Sequence, residues 1–345
     1  MDPLTVDDRY AGMIADLAVC HAQPLWDRYQ RVTTRAPAAR DEPMAWPWQL
    51  MQPLIARATR EVAMQDAERR VLLLTHPAFA GAVATTTNLS AGLQTLLPGE
   101  TARAHRHSLQ AIRFVMSGSG AVTTVNDQRC AMNQGDLVLT PAWTWHEHVH
   151  PGSEPLVWFD GLDLPLLHHL DSMFFELAGP LSDRVDPPPT RAAVAPWTGA
   201  TLRPDGSAAG GAPADRYRFS WTRASQALDE ATCAADGSRC LRYVDGVSQG
   251  AVLPTLDCYL LACAAGRPTL RYRTTSNAVC VVAQGHGRSE IGAETIEWQR
   301  NDVFTLPHWN WIRHTATSSD ATIFLMTDRE FLASLGYLRE EEEQG

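Results

Sequence analysis

The chain is predicted to be an all-β protein built from two copies of an antiparallel barrel or jelly roll, with helices added at its N-terminus. The first observation is a series of short β-like runs divided by Gly, Pro and Asn, which begins near Arg70 and returns beyond about Cys240. Short strands at such spacing are typical of barrels and jelly rolls. The second observation is an internal repeat with an offset of 167 or 166 residues, which predicts that one fold is duplicated in the chain.

The repeat is carried by glycines and by a run that ends in proline. The glycines that recur at an offset of 167 residues are Gly99, Gly118 and Gly120 in the first half and Gly266, Gly285 and Gly287 in the second. The run 135–141 recurs as 301–307, at an offset of 166 residues. We therefore predict a one-residue deletion in a turn of the second half.

Residues 1–69 are predicted to form an N-terminal helical region. Apolar residues recur at helical spacing over 7–31, and a second helical stretch over 48–64 starts just after Pro47, a residue suited to a first helical turn. We expect these helices to cover a core or a neighbouring subunit, partly because they carry three tryptophans with large apolar areas to bury.

The first barrel is assigned to residues 70–178. Its predicted strands are 71–74, 83–89, 92–97, 111–116, 121–125, 136–139 and 156–159, and a helix over 166–177 is predicted to close the unit. Residues 179–235 are predicted to be a linker, because 179–211 is rich in Pro, Gly, Ala and Asp and cannot bury enough apolar surface to order itself. A second barrel is assigned to 236–331 and a C-terminal tail to 332–345, and the acidic end of this tail, 339–345, is predicted to be a frayed, solvated helix end.

Composition narrows the classes of partner. The net charge of -10 argues against nucleic acid and anionic membrane surfaces, which need a basic partner, so a small molecule is expected. Seven cysteines, an odd number without a CxxC pair, indicate reduced thiols. No run is long enough and apolar enough to span a membrane, and the N-terminus lacks a secretory pattern. We expect a cytoplasmic protein.

Three histidines form the candidate metal site. His105 and His107 alternate on a predicted strand and therefore point to the same face, and His146 arrives from the run that follows Gly135. Three neutral nitrogen ligands leave a divalent metal with its full charge and with open positions for substrate or O₂. The repeat places Tyr272, Thr274 and Ile312 at these positions in the second barrel, which is therefore predicted to have lost the ligands and to serve a structural role. His314 aligns with His148.

This pattern resembles the two motifs of the cupin superfamily. Gly99, His105, His107 and Gly118 stand at the spacings of the first motif, and Gly135, Pro141 and His146 at those of the second. Where many cupins have a glutamate ligand, this chain has Ala111, and Arg113 follows on the same strand face. A site without an anionic ligand but with an inward guanidinium should favour an anion that also chelates, namely a carboxylate with a neighbouring oxygen donor.

Simpler roles compete with each functional role. Arg113 could be an ordinary salt-bridge residue, although an arginine inside a barrel needs an anion to offset its desolvation. His148 and His150 lie on the face of His146, and either could line the pocket or end the strand in solvent. Asp160 could orient a ligand histidine or cap the turn at Gly161. Two further histidines, His168 and His169, are predicted to lie on a surface helix.

A closer resemblance covers most of the chain and is strongest over 69–177. The segments that carry it are 91–100, 105–108, 113–114, 139–148 and 158–165, and together they resemble the bicupin gentisate 1,2-dioxygenases and their relatives that act on salicylates and 1-hydroxy-2-naphthoate. The resemblance implies Fe(II) held by His105, His107 and His146, with the substrate carboxylate on Arg113. It also implies pocket roles for Gln94, His148 and Asp160, a further arginine at Arg69 or Arg70, and a homotetramer.

The implied reaction opens an aromatic hydroxy-carboxylate with O₂ between the carboxyl-bearing carbon and its hydroxyl-bearing neighbour, giving maleylpyruvate from gentisate. Ser90 and Gly92 are small, which predicts a pocket wider than in relatives and raises the alternative of a 5-substituted salicylate such as 5-nitrosalicylate, salicylate or 1-hydroxy-2-naphthoate. Two rivals remain open: a cupin enzyme with a different substrate, and a cupin that only binds a ligand. Gentisate is the first prediction.

Overall fold

The structure is a computed structural model that describes residues 10–26, 28–178, 200–203, 216–246, 248–319 and 321–343. The chain divides into two compact units after Ala38. The first unit contains α1 (Ala11–Val19) and α2 (Tyr29–Val32), neither of which has a buried residue. The helix predicted over 7–31, with a break near Pro24 as the alternative, is two short helices where the chain is described, because the segment around Pro24 does not continue the first helix.

The second unit contains both predicted barrels. It begins with β1 (Ala45–Trp46), α3 (Trp48–Glu61) and α4 (Met64–Ala67). The elements of the first barrel are β2 (Val71–Leu73), β3 (Ser90–Leu96), β4 (Thr101–His107), β5 (Ala111–Ser117), β6 (Ser119–Val125), β7 (Gln128–Asn133), β8 (Leu137–Thr140), β9 (His146–Val149), β10 (Leu156–Leu162), α5 (Leu164–His169) and β11 (Phe175–Leu177). A short 3-10 turn, Pro77–Phe79, separates β2 from β3.

The second barrel follows the same plan. Its elements, with the segment that leads to it, are β12 (Ala200–Leu202), β13 (Arg218–Phe219), α6 (Trp221–Glu230), β14 (Arg239–Tyr243), β15 (Asp257–Ala262), β16 (Tyr272–Thr274), β17 (Ala278–Gln284), β18 (His286–Ile291), β19 (Glu294–Gln299), β20 (Val303–Leu306), β21 (Ile312–Ala316), β22 (Thr322–Thr327), α7 (Arg329–Ser334) and β23 (Glu340–Glu342). The larger sheets run β13-β8-β5-β10-β3-β2 and β1-β20-β17-β22-β15-β14-β12. The smaller ones run β11-β4-β9-β6-β7 and β19-β18-β21-β16-β23.

Each repeat is preceded by an arm, which is β1 with α3 for the first repeat and β13 with α6 for the second. Each barrel carries a strand from the arm of the other repeat. β1 pairs with β20 of the second barrel, and β13 pairs with β8 of the first. The helix after each strand begins at a tryptophan whose backbone N–H donates to a barrel aspartate: Trp48 to Asp302 at 2.7 Å, and Trp221 to Asp136 at 2.9 Å. The two arms are therefore structural repeats that cross between the barrels.

The crossed arms correct the linker prediction over part of its length. Within 179–235, the described residues include β13 and α6, and α6 buries Ala224 and Leu228. The composition argument depended on 179–211, most of which lies outside the described residues. The helix over 221–230 has its own apolar spacing, and this is why it packs on a barrel.

The two large sheets pack against each other and share one core. Phe114 of β5 stacks on Phe324 of β22 with 4.3 Å between ring centroids. A Cβ at Gly161 would stand 2.2 Å from Met326 Sδ, so the glycine makes room for this methionine where β10 approaches β22. Because the buried residues of both sheets form a continuous cluster, the barrels make one folding unit.

Two aspartates tie the barrels together in a reciprocal way. Asp163 accepts from Gln110 N at 2.9 Å and from Thr255 Oγ1 of the second barrel at 2.5 Å. At the equivalent place, Asp328 accepts from Asn277 N at 2.7 Å and, across the junction, from Asn88 Nδ2 at 2.6 Å. The duplication therefore extends to the hydrogen bonds between the barrels.

Other local predictions differ from the structure. Residues 83–89 form a loop, because the Thr85 hydroxyl donates to Leu74 O at 2.6 Å and accepts from Ala91 N at 2.8 Å, which supplies bonds that a strand would make. The helix predicted over 166–177 ends at His169, and β11 then pairs with β4. The change of repeat offset lies at a β-bulge between Ser119 and Ala121, not in a turn.

The acidic tail is a strand and not a frayed helix end. β23 pairs with β16, and three arginine–glutamate pairs hold it: Arg329–Glu340, Arg273–Glu341 and Arg271–Glu343. A run of glutamates on a strand is stabilised here because Glu340 and Glu341 each face a guanidinium.

All seven cysteines are free thiols. Among the described residues, no helix has the length and apolar character needed to cross a membrane.

Candidate active site

The three predicted histidines converge in the first barrel. His105 and His107 lie on β4, and His146 begins β9, where it pairs directly with His105. Their candidate ligand nitrogens all lie within 4.8 Å of one another, and all three side chains are buried. The structure brings the three histidines together, but His146 lies on β9 and not on the strand that follows Gly135, and a turn in which Trp143 has a φ of 66° separates the two strands.

Backbone carbonyls fix the orientation of each imidazole. Each Nδ1 lies at hydrogen-bonding distance from a carbonyl oxygen two residues away. These oxygens belong to Arg103 at 3.0 Å, Leu109 at 3.0 Å and Thr144 at 2.9 Å, for His105, His107 and His146 respectively. Because Nδ1–H must be the donor to a carbonyl, Nε2 carries the lone pair. His146 Nε2 is buried and has no hydrogen-bond partner, as expected of a metal ligand.

The site keeps these imidazoles neutral. Burial, followed by the charge of Arg69, lowers the pKa of His105 to about 2, and burial with the charge of Arg113 lowers that of His107 to about 4. Burial also puts the pKa of His146 well below its usual value. A neutral imidazole is the form that binds a metal, so the donor set fits a divalent cation held by three nitrogens.

Arg113 lies beside these histidines, fully inside the barrel. It is on β5, its Nη1 donates to Thr140 Oγ1 at 2.5 Å, and its Nε lies 3.6 Å from Asp160 Oδ1 of β10. That distance is an ion pair without a hydrogen bond, and both atoms are buried without a partner. Burial raises the pKa of Asp160, and the Arg113 charge opposes the rise. The pair therefore leaves guanidinium donors for a further anion.

Gln94 and Asp160 both lie on the Arg113 face. Asp160 pairs with Arg113 on one side and with Gly92 on the other, and Gln94 is two residues further along β3, opposite Trp158. Gln94 is fully buried, and neither atom of its amide has a partner. Leaving a buried polar atom unpaired costs about 1–3 kcal/mol. The clustering of such unpaired atoms from Gln94, Arg113 and Asp160 is typical of a site that binds a polar ligand.

His148 is also part of this site, whereas the other candidate histidines are not. Its Nδ1 lies 2.8 Å from Thr123 Oγ1, its Nε2 is buried without a partner, and its ring centroid is 6.0 Å from that of His146. His150 is satisfied by the backbone, with Nε2 2.6 Å from Glu154 O. His168 and His169 are exposed on α5, as predicted.

The structure separates Arg69 from Arg70. The Arg69 guanidinium lies over the Phe175 ring, 5.2 Å from its centroid, and this ring stacks on His105 at 5.3 Å. Burial, with the charge of Arg113, lowers the pKa of Arg69. Arg70 instead donates to Glu100 Oε1 at 2.6 Å. Arg69 is therefore the second arginine near the metal site.

The small residues on β3 do not widen the site as predicted. A Cβ added to Gly92 would lie 2.6 Å from Val71 Cγ1, so the side chain of β2 already fills that space. Ser90 is buried, and its hydroxyl lies 3.4 Å from Leu162 O. The absence of a side chain at 92 lets β2 approach β3 and does not enlarge the cavity.

Several contributing residues were not singled out from the sequence. They are Thr123, Thr140, Trp158 and Phe175. For Thr140 and Trp158 a signal existed. Thr140 lies on β8, which pairs with the strand of Arg113, and Trp158 lies two residues before Asp160 on the same strand and therefore shares its face. Phe175 had none, because 166–177 was predicted to be helical.

Comparison with known proteins places the chain in a family. The protein-family model described as the cupin domain matches residues 92–162. Gentisate 1,2-dioxygenase 1 of Aquipseudomonas alcaligenes is 34% identical over 321 residues, which covers 92% of this chain and 92% of the relative. The 5-aminosalicylate 1,2-dioxygenase of Comamonas sp. is 32% identical, over 94% of this chain and 88% of the relative.

A solved structure has the same fold. The salicylate 1,2-dioxygenase of Pseudoaminobacter salicylatoxidans, crystallised with gentisate, superposes with a TM-score of 0.85 and 29% identity, covering 100% of this chain and 96% of that one. The predicted fold class and family are confirmed. The chain belongs to the bicupin gentisate 1,2-dioxygenase family of ring-cleaving dioxygenases.

Proposed function

We propose that the three imidazoles hold Fe(II) and that the enzyme opens gentisate between C1 and C2 to give maleylpyruvate. When bound, Fe(II) supplies the open positions that a chelating substrate occupies and the electron density that activates O₂. His105, His107 and His146 are the ligands, and their Nδ1 contacts would hold the rings in place. The choice of iron rests on the family, because three imidazoles also suit other divalent metals.

The charge balance of the cavity is the observation that carries the proposal. Arg69 and Arg113 supply two positive charges, Asp160 supplies one negative charge, and the metal would add two more positive charges without an anionic ligand. Such a site favours an anion with a second oxygen donor, because both the metal and a guanidinium can then be satisfied. A 2-hydroxybenzoate has this arrangement of carboxylate and phenol oxygens.

Each polar residue has a proposed task. Arg113 orients the carboxylate, and Arg69 adds attraction from the side of Phe175. Gln94 and His148 Nε2 provide hydrogen bonds to polar atoms of the substrate or of O₂, and Thr123 holds the His148 ring in position. Asp160 positions Arg113 and offsets its charge.

The substituent para to the 2-hydroxyl is the open variable. Gentisate carries a 5-hydroxyl, and it is the ligand of the solved relative and the substrate in the name of the 34% identical relative. The 32% identical relative is named for 5-aminosalicylate. We keep as the alternative the same ring cleavage on a 5-substituted salicylate, salicylate or 1-hydroxy-2-naphthoate.

Oxygen uptake by the iron-loaded protein tests the proposal. Gentisate, salicylate, 5-nitrosalicylate, 5-aminosalicylate and 1-hydroxy-2-naphthoate would be compared, with benzoate as the matched control that lacks the chelating hydroxyl. We expect the highest kcat/KM for gentisate and no uptake with benzoate. A higher kcat/KM for a salicylate would transfer the assignment to the alternative. No uptake with any of them would leave a cupin that only binds its ligand.

Two further expectations are proposals of the same kind. We propose a homotetramer, on the strength of the family, and a cytoplasmic location, supported by seven free thiols. Sedimentation equilibrium would test the first, and fractionation of the native host the second.

A further inference from the structure

The second barrel has a cavity of about 240 Å³, open to solvent on one side, at the place that the metal site takes in the first barrel. Tyr272, Thr274 and Ile312 line it where the first barrel has its three histidines. For comparison, a cavity of about 150 Å³ in another protein binds benzene. This volume is therefore sufficient for one aromatic ring with a small substituent.

The wall of this cavity is apolar where the wall of the first barrel is polar. The register of the sheets shows the replacements: Leu261 for Gln94, Leu306 for Thr140 and Leu325 for Asp160. All three leucines line the cavity, together with Ala278. A ring that contacts these side chains leaves water without losing hydrogen bonds, so the wall favours an aromatic or aliphatic ligand.

One polar group at the cavity is left for a ligand. Within the described part of the chain the Tyr272 hydroxyl has no hydrogen-bond partner, whereas the neighbouring hydroxyls are occupied. Tyr259 donates to Asp257 at 2.6 Å, and Thr274 bonds Ser276 at 3.0 Å. Burial raises the pKa of Tyr272, so its hydroxyl stays neutral and can both donate and accept.

The charges around the cavity disfavour an anion. Arg329 and Glu340 form its exposed edge, where Arg329 Nε and Nη2 donate to Glu340 at 3.0 and 2.6 Å. Arg329 also forms an ion pair with Glu330. Arg242 forms a second ion pair with Glu330, at 3.5 Å, and its Nε donates to Asp257 Oδ2 at 3.1 Å. Two guanidiniums therefore face three carboxylates. Among the described residues around this cavity, a carboxylate ligand would find both guanidiniums already paired, the reverse of the balance beside Arg113.

We propose that the second barrel is a binding site for one neutral aromatic molecule that carries a hydroxyl group. The ring would contact Leu261, Leu306 and Leu325, and its hydroxyl would bond to the Tyr272 hydroxyl. The inference does not depend on the substrate of the first barrel, since it uses only residues of the second.

Phenol is the probe, because it is one ring with one hydroxyl and is uncharged at neutral pH. Isothermal titration of the full-length protein should show one phenol site per chain outside the metal site, and benzoate should not compete for it. A crystal soaked in phenol should show the ring inside the second barrel. A soaked crystal with the phenol in the first barrel alone would overturn the proposal.

Two variants separate the wall from the hydroxyl. Leu261→Trp places a larger side chain in the cavity and should abolish the binding of both phenol and toluene. Tyr272→Phe removes one oxygen, and it should weaken phenol binding about three- to tenfold while leaving toluene binding unchanged. Unchanged phenol affinity in folded Leu261→Trp, or equal affinity for benzoate in the second barrel, would contradict the proposal. If Leu261→Trp does not fold, the soaked crystal and Tyr272→Phe decide.

Discussion

The two barrels share a backbone plan but differ in what their inner faces carry. Both place two alternating side chains on one strand and a third on the strand paired with it, yet these are histidines in the first barrel and Tyr272, Thr274 and Ile312 in the second. In the second barrel β16 and β21 pair although no histidine stands at these positions. The metal ligands are therefore not needed to form the barrel, which explains how one copy can lose them and remain folded.

One polar pair survives in both barrels. His148 Nδ1 lies 2.8 Å from Thr123 Oγ1 in the first, and His314 Nδ1 lies 2.7 Å from Ser289 Oγ in the second. In the second barrel Trp298 Nε1 also donates to Ser289, at 2.8 Å. A buried histidine with a hydroxyl partner is thus compatible with either a catalytic or a structural role, and only its surroundings distinguish the two.

The short strands that close each barrel differ in a similar way. β11 and β23 each have a glutamate paired with an arginine of the adjacent strand, Glu176 with Arg106 and Glu341 with Arg273. One position earlier, β11 presents Phe175 to His105, whereas β23 presents Glu340 to Arg329. The equivalent short strand therefore covers the candidate metal site in the first barrel and carries an ion pair in the second.

The largest expected effect is loss of the metal from the first barrel. His107→Ala removes one of three ligands and should reduce bound iron from about one per chain to near zero, and ring cleavage with it. The matched variant Thr274→Ala, at the equivalent position, should leave both unchanged. Metal analysis of purified, iron-loaded protein gives the readout. Full iron content in His107→Ala would contradict the ligand assignment.

A smaller effect is expected from the charge that orients the substrate. Arg113→Ala should raise KM by roughly 30- to 1000-fold, because truncating one partner of a buried charge pair costs about 2–4 kcal/mol. Cys280 is the equivalent residue in the second barrel, and Cys280→Ala should leave KM unchanged. Steady-state oxygen uptake measures both. Equal KM values in the two variants would remove Arg113 from carboxylate binding.

The histidine–hydroxyl pairs of the two barrels have similar geometry, and a third comparison tests whether their roles differ. Thr123→Val should lower kcat about tenfold with little change in KM, because His148 loses the contact that orients it, and Thr123→Ser should restore it. Ser289→Ala should leave kcat unchanged but reduce the free energy of unfolding by about 1–3 kcal/mol, since Trp298 and His314 both lose a partner. Kinetics and denaturant unfolding separate the outcomes. An unaltered kcat in Thr123→Val would make that pair structural too.

The smallest effect concerns the junction. In Asp163→Asn the new amide faces the Thr255 hydroxyl, which can accept, whereas in Asp328→Asn it faces the Asn88 amide, which donates. Asp328→Asn should therefore lose about 1–3 kcal/mol of unfolding free energy and Asp163→Asn less. Chemical denaturation at pH 7 tests this order, and equal losses would contradict it.

The same aspartates predict a pH dependence. Burial raises the pKa of Asp163 and Asp328 to about 6 in the folded chain, against about 3.9 for an unperturbed aspartate. Between these two pKa values the folded state therefore binds more protons than the unfolded state. The contribution of the protonated carboxyls to the free energy of unfolding is complete below about pH 4 and is lost as the pH rises through about 6. Relative to the native chain, Asp163→Asn should gain stability from pH 5 to pH 8. A constant difference would mean that this carboxyl titrates normally.

Sequence alone determined the features that depend on local spacing. Residues two apart on a strand share a face, so His105 and His107 were assigned to one cavity, and the alignment of the repeat assigned Tyr272 and Thr274 to the other. Arg113 was placed on the inner face by the same alternation. These predictions hold because strand periodicity does not depend on what a strand packs against.

The tertiary structure decided the features that depend on contacts between distant segments. The arms cross between barrels, Val71 fills the space at Gly92, and the strand at Phe175 covers His105. The acidic run 340–342 forms a strand because it pairs with β16 and because Glu340 and Glu341 face arginines from elsewhere in the chain. Strand pairing and packing join residues far apart in sequence, and their energies outweigh local propensity wherever composition is ambiguous.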